Sequence, residues 1–221
     1  MIRQTPDQIV LASGSPRRRR LLAALGLSFT VASADIDEAT MPGEAPASLV
    51  TRLSAAKARA VLAAYPHALI IAADTCVVLD GEILGKPANP LEAFEMLARL
   101  RDRRHEVYTG LALLDAPSGR LHKDVVRTAV YMRAYSEQEI ARYVRTGDPL
   151  DKAGAYAIQH AGFDPVARIE GCYTNVVGLP LCRLYVALRA WGVSVPEAPP
   201  ASCLDTSGIC AWPREKVAPY A

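Results

Sequence analysis

Residues 67–79, HALIIAADTCVVL, constrain the fold more than any other stretch. The run is apolar at its core and well short of the ~18 residues a membrane span needs, and Asp74 interrupts it. It reads as a strand, with Asp80-Gly81 supplying a two-residue hairpin turn into EILG. An aspartate inside such a strand is expensive to bury unless it is paired, bound to a metal or placed at a cleft. Two readings of Asp74 are therefore open. One is a salt bridge at the strand end; the other is a carboxylate that binds a divalent cation or activates water.

Around this strand the chain alternates. QIVLA (8–12) reads as a strand, followed by a helix with Ser15 as N-cap, Pro16 in its first position and Gly26 as the C-terminal glycine. LSFTVAS returns as a strand, and residues 46–64 are helical with Leu49, Leu53 and Val61 on one face. Asn89, with Glu92 three residues on, starts the next helix; HEVYTGLALLD and LHKDVVRTAVYMR pair as strands around APSG. Ser136 and Glu139 form a capping box for a helix closed by Gly147, and Gly178 and Pro180 open a last helix. Beyond Gly192 the chain is rich in Pro and small residues and reads as a tail of little regular structure.

Four consecutive arginines, Arg17 to Arg20, begin the first helix. Residues ~100° apart sweep most of the helix circumference, so at least one arginine points into the protein or over the helix N-terminus. There the free N–H groups, the dipole, the hydroxyls of Ser13 and Ser15 and the small Gly14 all suit an anion. The alternative is a solvated charge run, which would oppose the dipole. Lys57 lies in register with Leu49, Leu53 and Val61, so it either snorkels to an edge or reaches an anion. With 20 arginines and only five lysines, a retained lysine marks a place where a compact charge is preferred. Asp35, Asp37 and Glu38 offer further carboxylates. Lys86 follows the hairpin in GEILGKP, which is one residue short of a P-loop and carries Pro where Ser or Thr should stand.

Composition narrows the classes. With 25 Lys+Arg against 23 Asp+Glu, the net charge of +2 is too small for a general nucleic-acid binder, and aromatics make up only 6%. The N-terminus does not read as a signal peptide, because its charges follow a short apolar run. Five cysteines (Cys76, Cys172, Cys182, Cys203, Cys210) are scattered without a CxxC pair, which argues for reduced thiols in cytosol and against zinc.

Five segments in order, LASGSPRRRRLLAALGL, AADTCVVLDGEILGKP, HEVYTGLAL, YVRTGDPLDKAGAYAIQ and GCYTNVVGLPL, resemble the Maf family of nucleoside triphosphate pyrophosphatases over residues 8–190. The resemblance implies a mixed α/β fold of the inosine-triphosphatase type. In it an elongated sheet with flanking helices forms two lobes around a cleft, here residues 1–192 with 193–221 as the tail. It implies hydrolysis of a nucleoside triphosphate to the monophosphate and pyrophosphate, with Mg or Mn as cofactor, by a cytoplasmic homodimer that takes neither nucleic acid nor membrane as partner. Carried over by position, the proton acceptor falls on Asp74, the phosphate-binding elements on Ser13, Arg18, Lys57 and Lys86, and Glu38 joins Asp74 at the metal.

Positions that track base choice fall on Arg17, Thr75 and Gln159, as in the branch acting on dTTP and UTP. The sister branch acting on 7-methyl-GTP tends to show Trp, Gln and Glu there. Gln159 offers a donor and an acceptor, which suits the imide edge of thymine or uracil. Two departures stand out: Asp102 replaces a usual glycine, and His160-Ala161 replaces a glycine-rich turn beside Gln159. The alternatives are 7-methyl-GTP hydrolysis, or a non-catalytic nucleotide-binding regulator of cell division. The regulator would leave the site free to lose Asp74 or Lys86, and both are present.

Overall fold

The computed structural model describes residues 8–199; the remainder of the expected tail, with Cys203 and Cys210, lies outside the described residues. In chain order the elements are β1 (Ile9–Ala12), α1 (Pro16–Ala23), β2 (Thr30–Ala32), α2 (Pro46–Ala60), β3 (Leu69–Leu79), β4 (Glu82–Leu84), α3 (Pro90–Leu100), β5 (Arg104–Asp115), β6 (Arg120–Met132), α4 (Glu137–Arg145), β7 (Val166–Glu170), α5 (Tyr173–Val177) and α6 (Leu181–Ala190). Short 3-10 turns follow α2 and α4. Local chemistry sets most boundaries. Ser15 and Asn89 accept hydrogen bonds from backbone N–H groups three residues on, and Ser136 and Glu139 close a capping box. Asp80 and Gly81, at φ 51° and 84°, make the tight turn between β3 and β4. Asp102 also has positive φ (55°), which explains why glycine is usual there.

One seven-stranded mixed sheet results, in the order β2-β1-β3-β5-β6-β7 with β4 also on β3. β1 runs parallel to β2 and β3, and the other pairings are antiparallel. β1 meets β3 only at Leu69–Ile71, and β4 meets the same edge only at Val77–Leu79. Ala72–Cys76 therefore have no strand beside them on that edge. This notch lies at the carboxyl end of β1, where the chain leaves in opposite directions for α1 and, by way of β2, for α2; such switch points are where open α/β sheets bind ligands.

Alternation along β3 sorts its side chains. Leu69, Ile71 and Ala73 pack with Leu21, Leu22 and α6, whereas Val77 and Leu79 pack on the same face with α3 and α4. Thr75 lies between these two apolar clusters, where the cleft opens. The opposite face carries Ile70 and Ala72 against Ala58 of α2, and Cys76 and Val78 against Leu49 and Leu53. Residues 193–199 form no helix or strand, yet Val193 and Val195 are buried in the cluster around α6 and the Glu197 N–H donates to the Leu25 carbonyl.

Gly110 on β5 stands directly opposite Asp74, and a Cβ there would sit 2.2 Å from the Val50 carbonyl oxygen of α2. The absence of a side chain is what lets α2 lie this close to the sheet. Gly110→Ala is expected to cost about 3 kcal/mol or more, read from urea unfolding, because the clash is with backbone and not with a flexible side chain. A second outcome concerns His105, buried on β5 with Nε2 2.7 Å from the Tyr156 hydroxyl. Burial, helped by the nearby Arg104 charge, lowers its pKa from 6.5 to about 4. The unfolded chain thus takes up the proton first. Stability from this group is full above about pH 6.5 and is lost as pH falls toward 4, which a pH series of unfolding midpoints would reveal.

Candidate active site

The notch in the sheet opens into a cavity of about 640 Å³, within the size range of small-ligand sites. Ser13, Arg17, Arg18, Glu38, Lys57, Asp74, Thr75, Lys86 and Gln159, the nine positions singled out from sequence, all line it. Six different segments deliver them. Asp35 and Asp37 are exposed in the loop after β2, with Asp37 capping the Ala39 N–H, and only Glu38 of that trio reaches the cavity.

Of the four arginines, Arg18 turns inward. Its Nε donates to the Gly178 carbonyl (2.8 Å), one terminal nitrogen to the Thr75 hydroxyl (3.1 Å) and the other to Ser13 Oγ (3.3 Å). Burial lowers its pKa, against the pull of Asp74, and a guanidinium stays charged regardless. Arg17 pairs with Asp151 at 3.2 Å, while Arg19 and Arg20 face outward. Thr75 rests on a polar seam. Its hydroxyl lies 2.9 Å from that of Thr109, which bonds the Asn175 carbonyl oxygen; the Asn175 amide in turn donates to the Val107 carbonyl and Thr128. This seam of fully buried polar groups separates the two apolar clusters and holds α5, with Gly178 just beyond it, against the sheet.

Asp74 points to the other face, toward α2. Lys57 and Asp74 are each only 7% exposed, and Lys57 Nζ lies 2.5 Å from Asp74 Oδ1 and 2.6 Å from Glu38 Oε1. Lys86 stands 3.6 Å from the second oxygen of Glu38. Partial burial would raise the Glu38 pKa, but its hydrogen bond with Lys57 and the charges of Lys57, Lys86 and Arg18 bring it below the usual value, so Glu38 is ionised at neutral pH. Cys76, two residues along on the same face, is pushed up to about 12 by burial and by Asp74, and its thiol is neutral and inert.

Two carboxylates converging on one ammonium at the wall of an open cavity are a hard, oxygen-only donor pair. Among the described residues no group of three His, Cys, Asp or Glu could enclose a metal. That set fits a hydrated Mg²⁺ or Mn²⁺ completed by ligand phosphates, not an all-protein cage.

Sequence reasoning passed over Asp151 and Lys152, which also line the cavity, and Asn175 behind it. Lys152 carried a usable signal: it is one of five lysines, the scarcity that drew attention to Lys57. Asn175 carried none, because its role depends on partners 47 and 68 residues away.

A mixed α/β sheet with a cationic, acid-based cavity at its switch point defines a protein that handles phosphorylated ligands. The model of the Maf-like protein family matches residues 8–191, and the chain belongs to that family. The dTTP/UTP pyrophosphatase of Moorella thermoacetica is 52% identical over 189 residues, covering 86% of this chain and 97% of that protein. Those of Pelotomaculum thermopropionicum (49% over 188 residues, 85% and 98%) and Geobacter metallireducens (52% over 187 residues, 84% and 97%) are similarly close.

Lys57→Met strands Asp74 as an unpaired buried carboxylate and is expected to destabilise the fold by about 3 kcal/mol. Adding Asp74→Asn should restore most of that loss in a denaturant titration of the double variant. Independent, additive losses would show that the pair is not coupled.

Proposed function

We propose that this chain is a nucleoside triphosphate pyrophosphatase that hydrolyses dTTP and UTP to the monophosphate and pyrophosphate. The observation that carries the reading is the convergence of Asp74, Glu38 and Lys57 at the wall of a cavity ringed by Arg18 and Lys86. Water attacks the α-phosphorus, the α–β anhydride bond breaks, and pyrophosphate leaves. Asp74, on a rigid strand, accepts the proton of the attacking water. Lys57, Lys86, Arg18 and the Ser13 hydroxyl bind the triphosphate and offset the charge that develops on it. Asp74 and Glu38 would hold Mg²⁺ or Mn²⁺, which polarises the phosphoryl oxygens when bound.

Base choice rests on Arg17, Thr75 and Gln159. The Gln159 amide, on the cavity-lining loop after the 3-10 turn at Ala153–Ala155, matches the alternating acceptors and donor of a uracil or thymine edge. A buried polar site discriminates strongly because a wrong base leaves its groups unpaired. His160 is tied into this loop: its Nδ1 accepts from the Phe163 N–H at 3.0 Å and its ring packs edge-on against Tyr143. The high identity to relatives named dTTP/UTP pyrophosphatase supports the same substrates. Among the described residues no helix is long and apolar enough to cross a membrane. We take the working form to be a cytoplasmic homodimer.

The purified protein should release pyrophosphate from dTTP and UTP with kcat/KM at least about tenfold above CTP, ATP and 7-methyl-GTP, and chelation of the divalent cation should abolish turnover. Asp74→Asn should lower kcat by about 10²–10⁴-fold, in a variant shown by circular dichroism to be folded. Preference for 7-methyl-GTP would overturn the base assignment, and no pyrophosphate from any nucleotide would overturn the activity.

A further inference from the structure

Lys152 is 6% exposed, and its ammonium is fully engaged. Nζ donates to the Asp148 carbonyl oxygen at 2.5 Å, to Asp148 Oδ1 at 2.9 Å and to Asp151 Oδ1 at 2.5 Å. A lysine has three N–H donors, so none is left for a phosphate although the residue lines the cavity. Its effect passes instead through Asp151, whose other oxygen accepts from Arg17 at 3.2 Å. On the far side, the Tyr143 hydroxyl donates to Asp148 Oδ2 (2.6 Å) and accepts from the Ala157 N–H (3.1 Å), two residues before Gln159. One network thus holds both Arg17 on α1 and the loop that carries Gln159. Its two cations and two carboxylates balance.

We propose that Asp151 is a positioning residue for base selectivity, anchored by Lys152; this inference rests on the reading of Arg17 and Gln159 as the base-facing groups. Arg17 has a long side chain whose rotamer freedom must be restricted before its donors can discriminate between bases. Asp151, an exposed residue of the cavity lining, supplies that restriction. Its side chain is 63% exposed, and an ion pair so solvated contributes little to stability, so its consequence is in orientation. The balanced cluster also fixes the height of the Gln159 loop over the cavity. Arg17 and Gln159 are thereby held at a set separation although they lie 142 residues apart in the chain.

The test is a binding cycle read by calorimetry with the non-hydrolysable α,β-methylene analogues of UTP and ATP. The proteins are wild type, Arg17→Ala, Asp151→Asn and the double variant. Asp151→Asn should weaken the UTP analogue on the order of tenfold and the ATP analogue by no more than about twofold. In the Arg17→Ala background it should have no further effect, and Asp151→Glu should recover part of the loss. In turnover, the same substitution should raise KM for UTP more than it lowers kcat. Additive losses, or equal weakening toward both analogues, would overturn the proposal. Pyrophosphate release by the wild-type protein reports separately on the activity, so the two failures are distinguishable.

Discussion

An ionised carboxylate on a strand whose other residues are almost all buried needs a cation beside it, and the Lys57–Asp74 contact is how this molecule meets that need. The cation comes from a helix, so α2 has to lie against the sheet at the depth a lysine can span. Gly110 makes room for that approach at the rung facing Asp74, and Leu49, Val50 and Leu53 fill the interface on either side. The loop before α2 then carries Glu38 to the same ammonium. Helix position, sheet packing and loop path all follow from compensating one charge.

The next residue faces the other way. Because β3 alternates, Asp74 belongs to the α2 side and Thr75 to the side of α1 and α5, where Arg18, Thr109 and Asn175 hold a chain of hydrogen bonds between the two apolar clusters. The polar seam is costly to bury unless nearly every group is satisfied, and most of its members are. It keeps the two clusters apart and the cleft between them open. In the proposed mechanism the proton acceptor and one of the base-facing groups thus stand on opposite faces of a single strand.

What the sequence revealed was what local rules control. The β3–β4 hairpin, the caps at Ser15, Asn89 and Ser136, and the apolar stripe of α2 all follow from spacing within a few residues, and each forms as expected. β7 and α5 escaped because VARIE is an edge strand with mostly exposed side chains and YTNVV is a single turn capped by a cysteine. Their existence is decided by partners on β5 and β6, not by periodicity. In the site, Asp74, Lys57 and one inward arginine could be read from burial arguments. Gln159 came only through the family resemblance. Glu38 and Lys86 stood out as a loop carboxylate and a lysine after the hairpin but took their roles from it, since isolated polar residues in loops have no pattern that betrays a contact across the fold.

The five residues of β3 with β5 on one edge and no strand on the other, Ala72 to Cys76, make the site sensitive to the length of this strand. The loop that brings Glu38 can gain or lose a residue and still reach the cavity by adjusting its path. The strand has no such slack. A single insertion or deletion just before Asp74 would leave the ladder to β5 able to re-form one rung out of step, but it would invert every side chain beyond the change. Asp74 and Thr75 would trade faces, the carboxylate meeting Arg18 and the hydroxyl meeting Lys57. The most hydrophobic segment of the protein is in this sense its least editable: its composition could drift among Val, Ile and Ala, but its reading frame cannot.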